Sequence, residues 1–163
     1  MRRSGRSGDC QRSRIRVPQL ILGWSESPSA ITNRLAAAPN RDGYTLVDYD
    51  ADGLGDFLAA ADLVLGRSGG SIFEVTAAGR PAILVPYPHA TADHQSANAA
   101  WMVEAGAAEL IEDETLSAAL LTERVGELLG DGERLAAMSR ASASLARPDA
   151  ARRIADEVLA AAR

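Results

Sequence analysis

The chain has 163 residues and a mass of 17.1 kDa, with 47% apolar and 24% charged residues, which suits one globular domain with a sizeable core. A single cysteine excludes an intramolecular disulfide framework, and no apolar run reaches the roughly 18–20 residues that cross a bilayer. Residues 1–17 hold six Arg and one Asp, so the rest of the chain carries a formal charge of −10 against −5 for the whole. That acidity argues against a nucleic-acid partner.

Residues 1–17 are rich in Arg, Ser and Gly and have no hydrophobic periodicity. They predict a disordered basic leader, which is not a secretory signal because no apolar stretch follows the arginines. Residues 18–163 are expected to form one cytoplasmic domain.

Short apolar runs and helical segments alternate from residue 19 onward. The predicted strands are 19–23, 44–47, 62–66, 81–86 and 107–111. The predicted helices between them are 29–38, 54–61, 71–78 and 92–105, with Gly79 and Gly106 as stops. Three further helices are predicted at 117–129, 133–145 and 149–162.

The runs 62–66 and 81–86 are continuously apolar instead of alternating. Strands of this kind are covered on both faces, as in parallel sheets flanked by helices. The pattern therefore predicts an α/β fold, a doubly wound Rossmann-like parallel sheet followed by C-terminal helices.

The first chemically informative junction is Gly66-Arg67-Ser68-Gly69-Gly70-Ser71, which leads from a strand into a helix. Glycines let a backbone approach a ligand closely, and the N–H groups of a helix start suit phosphate. The spacing matches neither a Walker loop nor GxGxxG, so a plain tight turn remains an alternative. Arg67 is interpreted either as a phosphate contact or as a cation that is solvated or paired with a carboxylate.

Glu74 has two interpretations that the residues alone leave open. Ser71 and Glu74 have the spacing of a capping box, which stabilises a helix start and needs no ligand. Alternatively, the carboxylate accepts hydrogen bonds from the two vicinal hydroxyls of a ribose.

The second junction runs from Pro86 to Asn98 and opens a helix with many polar side chains. Thr91 or Asp93 is the expected N-cap. Gln95 and Asn98, three residues apart, face the same side and suit recognition of hydroxyl and amide groups. His89 and His94 lack a third soft ligand, so no metal site is predicted. The acidic run 112–114 is interpreted as a solvated turn that also places negative charge at a helix N-terminus.

Both junctions carry an ordered set of motifs that resembles the C-terminal half of the bacterial glycosyltransferases that make lipid II, in glycosyltransferase family 28. The matching segments span about residues 44–162 and include 61–70, Glu74, 77–88, Asp93-His94-Gln95 with Asn98-Ala99, 104–108 and 147–155. The resemblance implies a GT-B enzyme with two Rossmann-like domains, whose C-terminal domain binds UDP-N-acetylglucosamine. It also implies an inverting transfer to undecaprenyl-diphosphate-N-acetylmuramoyl-pentapeptide without a metal or another cofactor, by an enzyme peripheral on the cytoplasmic face of the inner membrane.

The resemblance also assigns roles to residues. Glu74 is expected to hold the ribose hydroxyls, and Gln95 the sugar hydroxyls. The other expected substrate-binding residues are Ser68, Gly69, Gly70 and Ser71 at the diphosphate and nucleoside, His94 and Asn98 beside Gln95, Tyr49 and Asp50 near uracil, and Arg67. No catalytic residue is expected here, because the general base belongs to the acceptor-binding N-terminal domain.

Three features depart from that family's pattern. The acceptor-binding domain has no counterpart in the chain, so the fragment is expected to be inactive alone. The first strand and Gly-rich turn of the donor domain also have no match, and one residue fewer separates Gly69 from Glu74. Two alternatives remain: a stand-alone donor-binding subunit with a separate acceptor subunit, and a non-catalytic nucleotide-binding module in which Glu74 is only a cap.

Overall fold

The computed structural model describes the backbone of residues 20–23 and the whole of residues 54–162. The predicted leader 1–17, helix 29–38 and strand 44–47 lie outside the described residues. Within that part of the chain, a parallel sheet of four strands has the spatial order β1-β2-β3-β4. The predicted α/β class is confirmed.

The four strands lie in register, so that their carboxyl ends share one edge of the sheet. Gly66 pairs with Gly23 on one side and with Leu84 on the other, and Leu84 pairs with Leu110. The strands are β1 Leu20–Gly23, β2 Leu63–Gly66, β3 Ala82–Leu84 and β4 Ala108–Leu110. Each lies within a predicted run, and the loops after β2 and β3 leave the sheet side by side.

Six α-helices are described, and each overlaps a predicted one. They are α1 Leu54–Ala60, α2 Ile72–Ala77, α3 His94–Glu104, α4 Ala118–Gly130, α5 Gly132–Leu145 and α6 Ala150–Ala161. Short 3-10 turns at Thr91–Asp93 and Asp113–Thr115 precede α3 and α4.

The side chains of β2 and β3 are buried on both faces of the sheet, as their continuous apolar runs predict. On one face, Val64 and Leu84 belong to a core that also holds residues of α1, α2 and α3. On the other, Leu65 and Ile83 pack with Leu128 of α4 and other residues of α4 and α5. Helices therefore cover both faces, which is the doubly wound arrangement.

Glycines stop α2 and α3 where the sequence predicts. Gly79 has φ +61° and Gly106 has φ +75°, a left-handed conformation that costs other residues free energy. At Gly79 the backbone also passes close to α5, since an added Cβ would lie 3.2 Å from Cβ of Ala143. Ser139 fixes the same approach by donating its hydroxyl to the Gly79 carbonyl at 2.7 Å.

Candidate functional site

Two hydrogen bonds join the loop after β2 to the start of α3. Ser68 donates its hydroxyl to the backbone carbonyl of Gln95 at 2.7 Å. The side-chain amide of Asn98 donates to the carbonyl of Ser68 at 2.9 Å. The two motif-bearing junctions therefore form one continuous surface at the carboxyl edge of the sheet, where ligands bind in this class of fold.

Ser68 is fully buried, and its hydroxyl is used by the contact with Gln95. Asn98 is half-buried and directs its amide nitrogen at Ser68. Both side chains therefore hold the two loops together. A hydroxyl that is removed from water needs a hydrogen-bond partner, and the Gln95 carbonyl is that partner for Ser68.

The glycine turn presents open backbone. A Cβ added at Gly69 or Gly70 would meet no atom within 4 Å. Within residues 54–162, no group accepts a hydrogen bond from the N–H of Gly69, Gly70 or Ser71. These N–H groups are therefore available to an anionic or polar ligand.

The capping-box interpretation of Ser71 and Glu74 is wrong. Ser71 is the N-cap of α2, but its side chain makes no capping hydrogen bond. Its φ of −61° and ψ of −14° are helical, whereas a serine that caps with its side chain has extended backbone. Glu74 is exposed in the first turn of α2.

The side chain of Gln95 has a defined orientation. Its Oε1 accepts a hydrogen bond from the backbone N–H of Tyr87 at 3.0 Å. Because a backbone N–H can only donate, the amide oxygen must face Tyr87. The amide nitrogen, with its two hydrogens, is then the end of Gln95 that other groups can use.

The start of α3 has an unusual backbone. Ala92 and Asp93 have φ of 52° and 53°, both left-handed. Of the two N-caps expected, Thr91 and Asp93, the structure has Asp93, but its Oδ1 accepts from the Ser96 hydroxyl at 2.6 Å and from no backbone N–H of the helix. His94 is exposed, with Nδ1 2.6 Å from the carbonyl of Thr91.

Arg67 is paired with a carboxylate, one of the roles predicted for it. Its Nη1 forms an ion pair with Asp113 and donates to the carbonyls of Val85 and Pro86 at 3.2 and 3.1 Å. The solvated-turn part of the interpretation of 112–114 is therefore wrong for Asp113. The sequence carries no local signal for this pair, because it joins loops that leave β2 and β4, on either side of β3.

Two predicted site residues, Tyr49 and Asp50, lie outside the described residues. Tyr87 is a site residue that the sequence interpretation missed, since its backbone N–H makes the contact and carries no residue-specific pattern. In the described part of the chain, no group of three or more His, Cys, Asp or Glu side chains has the arrangement of a metal site. No described helix is both long and apolar enough to cross a membrane.

Residues 27–154 match the glycosyltransferase family 28 C-terminal domain. The chain belongs to this family. The two site junctions and strands β2, β3 and β4 lie inside the matched range, so the assignment covers the surface described above and most of the fold.

Among curated members of the family, the transferase of Rubrobacter xylanophilus is 46% identical over 121 residues, covering 74% of this chain and 36% of that protein. The Chlorobium phaeobacteroides protein is 46% identical over 155 residues, covering 88% and 43% respectively. Both are called UDP-N-acetylglucosamine--N-acetylmuramyl-(pentapeptide) pyrophosphoryl-undecaprenol N-acetylglucosamine transferase. The chain thus spans about two fifths of the length of these relatives.

Solved structures of glycosyltransferases have the same fold. The Acinetobacter baumannii MurG structure matches with a TM-score of 0.72 and 27% identity, over 88% of this chain and 42% of that one. The calicheamicin glycosyltransferase CalG4 matches with a TM-score of 0.54 and 27% identity, over 92% and 43%. The family 28 chain therefore has the GT-B C-terminal domain fold.

Proposed function

We propose that the chain is the UDP-N-acetylglucosamine-binding domain of the N-acetylglucosaminyltransferase that converts lipid I to lipid II in peptidoglycan synthesis. The observation that carries this proposal is the pair of hydrogen bonds from Ser68 and Asn98, which unite the two motif-bearing loops. Family membership and the names of the curated relatives support it.

The residues of this surface suit a nucleotide sugar. The exposed Glu74 carboxylate accepts hydrogen bonds from the two ribose hydroxyls. The open N–H groups of Gly69, Gly70 and Ser71 face the diphosphate and offset the charge of the departing UDP. The Gln95 amide nitrogen donates to a sugar hydroxyl oxygen.

The reaction needs a second protein part. A base from an acceptor-binding domain or subunit takes the proton from the lipid-linked acceptor hydroxyl, which attacks the anomeric carbon as UDP leaves with inversion. This chain contributes binding, orientation and stabilisation of the leaving group. The site of the reaction is the cytoplasmic face of the inner membrane, where the complete enzyme is peripheral.

Isothermal titration calorimetry with UDP tests the proposal. The wild-type chain is expected to bind UDP, and Glu74→Ala to lose at least tenfold in affinity, since a carboxylate that accepts two hydroxyls is worth ~1.5–3 kcal/mol. Glu133→Ala is the matched control, because Glu133 is likewise exposed in the first turn of a helix, α5. It is expected to bind UDP as the wild type does.

Thermal unfolding accompanies the titration. Glu74→Ala is expected to leave the midpoint nearly unchanged, because Ser71 and Glu74 form no capping box. A folded wild-type chain that binds no UDP would refute the proposal and favour a non-catalytic module. The chain alone is expected to transfer no sugar to a lipid-linked acceptor, and product formation by the pure chain would contradict the need for a second part.

A further inference from the structure

The side chains of Arg67 and Gln95 bond to opposite sides of the same peptide group, which joins Pro86 to Tyr87. The guanidinium of Arg67 donates to the Pro86 carbonyl at 3.1 Å. The N–H on the other side of that peptide bond belongs to Tyr87 and donates to Oε1 of Gln95 at 3.0 Å. Because a peptide unit is planar and rigid, fixing its carbonyl also fixes the direction of its N–H.

Arg67 is itself held from several directions. It forms an ion pair with Asp113, donates to the Val85 carbonyl at 3.2 Å, and its Cζ lies 5.5 Å from the centre of the Tyr87 ring. Its side chain is only 18% exposed. The charge of Arg67 is therefore balanced by a carboxylate within the protein, which makes it a weak candidate for direct contact with a phosphate.

A series of contacts links the Arg67–Asp113 ion pair, through the Pro86–Tyr87 peptide, to the side-chain amide of Gln95. A cation that donates to a carbonyl polarises the peptide and makes its N–H a better donor. The better donor holds Oε1 of Gln95 more firmly, and so turns the amide nitrogen away from Tyr87. Few rotamers of Gln95 satisfy this bond, so the side chain is ordered before any ligand arrives.

We propose, on the basis of the function proposed above, that Arg67 is a positioning residue for recognition of the donor sugar. It acts through the Pro86–Tyr87 peptide, which orients Gln95 so that its amide nitrogen meets a hydroxyl oxygen of the sugar. Arg67 does not contact the nucleotide. Its removal then weakens binding of the sugar nucleotide and leaves binding of UDP nearly unchanged.

The test compares UDP with UDP-N-acetylglucosamine by calorimetry in Arg67→Met, which keeps an unbranched stem and removes every donor. The affinity for UDP-N-acetylglucosamine divided by the affinity for UDP is expected to fall about three- to tenfold. This is the change that the loss of one hydrogen bond causes. Gln95→Ala is expected to cause a similar fall. The double variant is expected to fall no further than Gln95→Ala alone, because Arg67 acts through Gln95.

A direct phosphate contact by Arg67 gives a different result. Arg67→Met would then weaken UDP and UDP-N-acetylglucosamine equally, and its effect would add to that of Gln95→Ala. Either result overturns the proposal. Asp113→Asn is a second variant that retains Arg67 and removes the carboxylate that holds it, and it is expected to lower the same ratio by a smaller factor.

Hydrogen exchange provides a readout without ligand. The Tyr87 amide is expected to lose at least tenfold in protection in Arg67→Met, while amides of the β3 core keep theirs. Unchanged protection of Tyr87 in a chain that binds UDP normally would overturn the role of Arg67 alone. A wild-type chain that binds no UDP would instead overturn the proposed function, and with it the sugar as the ligand of Gln95.

Discussion

Asn98 and Ser68 link the two site loops through a 2.9 Å hydrogen bond between the Asn98 amide nitrogen and the Ser68 carbonyl. The carbonyl belongs to a residue that is itself fully buried. The Ser68 carbonyl lies in a turn and has no partner in a strand or helix, so the Asn98 amide supplies the hydrogen bond that this buried acceptor needs. The Asn98 amide is therefore expected to stabilise the turn.

Asn98→Asp removes that donor without changing the size of the side chain. A carboxylate beside a carbonyl repels it, so the free energy of unfolding at neutral pH is expected to fall by about 1–3 kcal/mol. When the Asp carboxyl at position 98 is protonated, its O–H can donate to the Ser68 carbonyl as the Asn98 amide does. The pKa of Asp at position 98 is thus expected to lie above its unfolded value of about 3.9, and the loss relative to wild type shrinks as pH falls through that pKa.

Urea unfolding of both proteins between neutral pH and about pH 4 measures this difference. Gln95→Glu is the matched control, because its new carboxylate still accepts from the Tyr87 N–H and stands on the same helix turn. Its stability is expected to stay within about 0.5 kcal/mol of wild type. Equal losses in the two variants would mean that added charge, and not the lost donor, causes the effect.

Replacing the serine at the start of a helix by alanine is expected to lower the free energy of unfolding at one of two sites and not at the other. Ser117 accepts a hydrogen bond from the Leu120 N–H at 3.2 Å as the N-cap of α4, whereas Ser71 makes no such bond at α2. Ser117→Ala is expected to cost about 0.5–2 kcal/mol of unfolding free energy, and Ser71→Ala less than about 0.5. Chemical denaturation of the two variants distinguishes them, and a large loss at Ser71 would restore the capping box.

The sheet and its helices follow from the sequence because hydrophobic periodicity and glycine stops are local signals. The runs 62–66 and 81–86 predicted strands covered on both faces, and Gly79 and Gly106 marked helix ends correctly. The registers of the strands and their order in the sheet arise from long-range pairing, which no local pattern contains.

In the candidate site, too, local features could be predicted from the sequence and long-range contacts could not. The polar residues from Ser68 to Asn98 were recognisable as a group from their positions after neighbouring strands. The capping box at Ser71 was one of two interpretations left open by the residues, and the spacing could not decide between them because serines that never make the bond share it. Asp113 was missed as the partner of Arg67 because the two are 46 residues apart, and Tyr87 because its backbone makes the contact.

Gly79 and Gly106 are expected to differ in their tolerance of a side chain. Both have positive φ, so alanine at either costs about 1–2 kcal/mol. At Gly79 the new Cβ also lies 3.2 Å from Cβ of Ala143, whereas at Gly106 it meets nothing within 4 Å. Gly79→Ala is therefore expected to lower the urea midpoint more than Gly106→Ala does. Ala143→Gly alone costs about 0.5–1 kcal/mol as a glycine inside α5, so the test is a double-mutant cycle: the loss in the double variant is expected to be smaller than the sum of the two single losses, and strict additivity would mean that the contact with α5 is not the cause.

The left-handed backbone at Ala92 predicts a stabilising substitution. Alanine there has φ 52°, a conformation that costs about 1–2 kcal/mol and that glycine adopts freely. Ala92→Gly is expected to raise the free energy of unfolding by about 0.5–1 kcal/mol, after the greater flexibility of the unfolded glycine chain is subtracted.

Ala90→Gly provides the control for Ala92→Gly. Ala90 has φ −66° and ψ 137° in the same loop, a conformation that alanine adopts without strain. Glycine there only adds freedom to the unfolded chain, so the variant is expected to lose about 0.5–1 kcal/mol. Calorimetric melting should thus move the two midpoints in opposite directions. If both variants melt below wild type by similar amounts, the backbone at Ala92 carries no strain that glycine can relieve, and the left-handed conformation there is not the one adopted in solution.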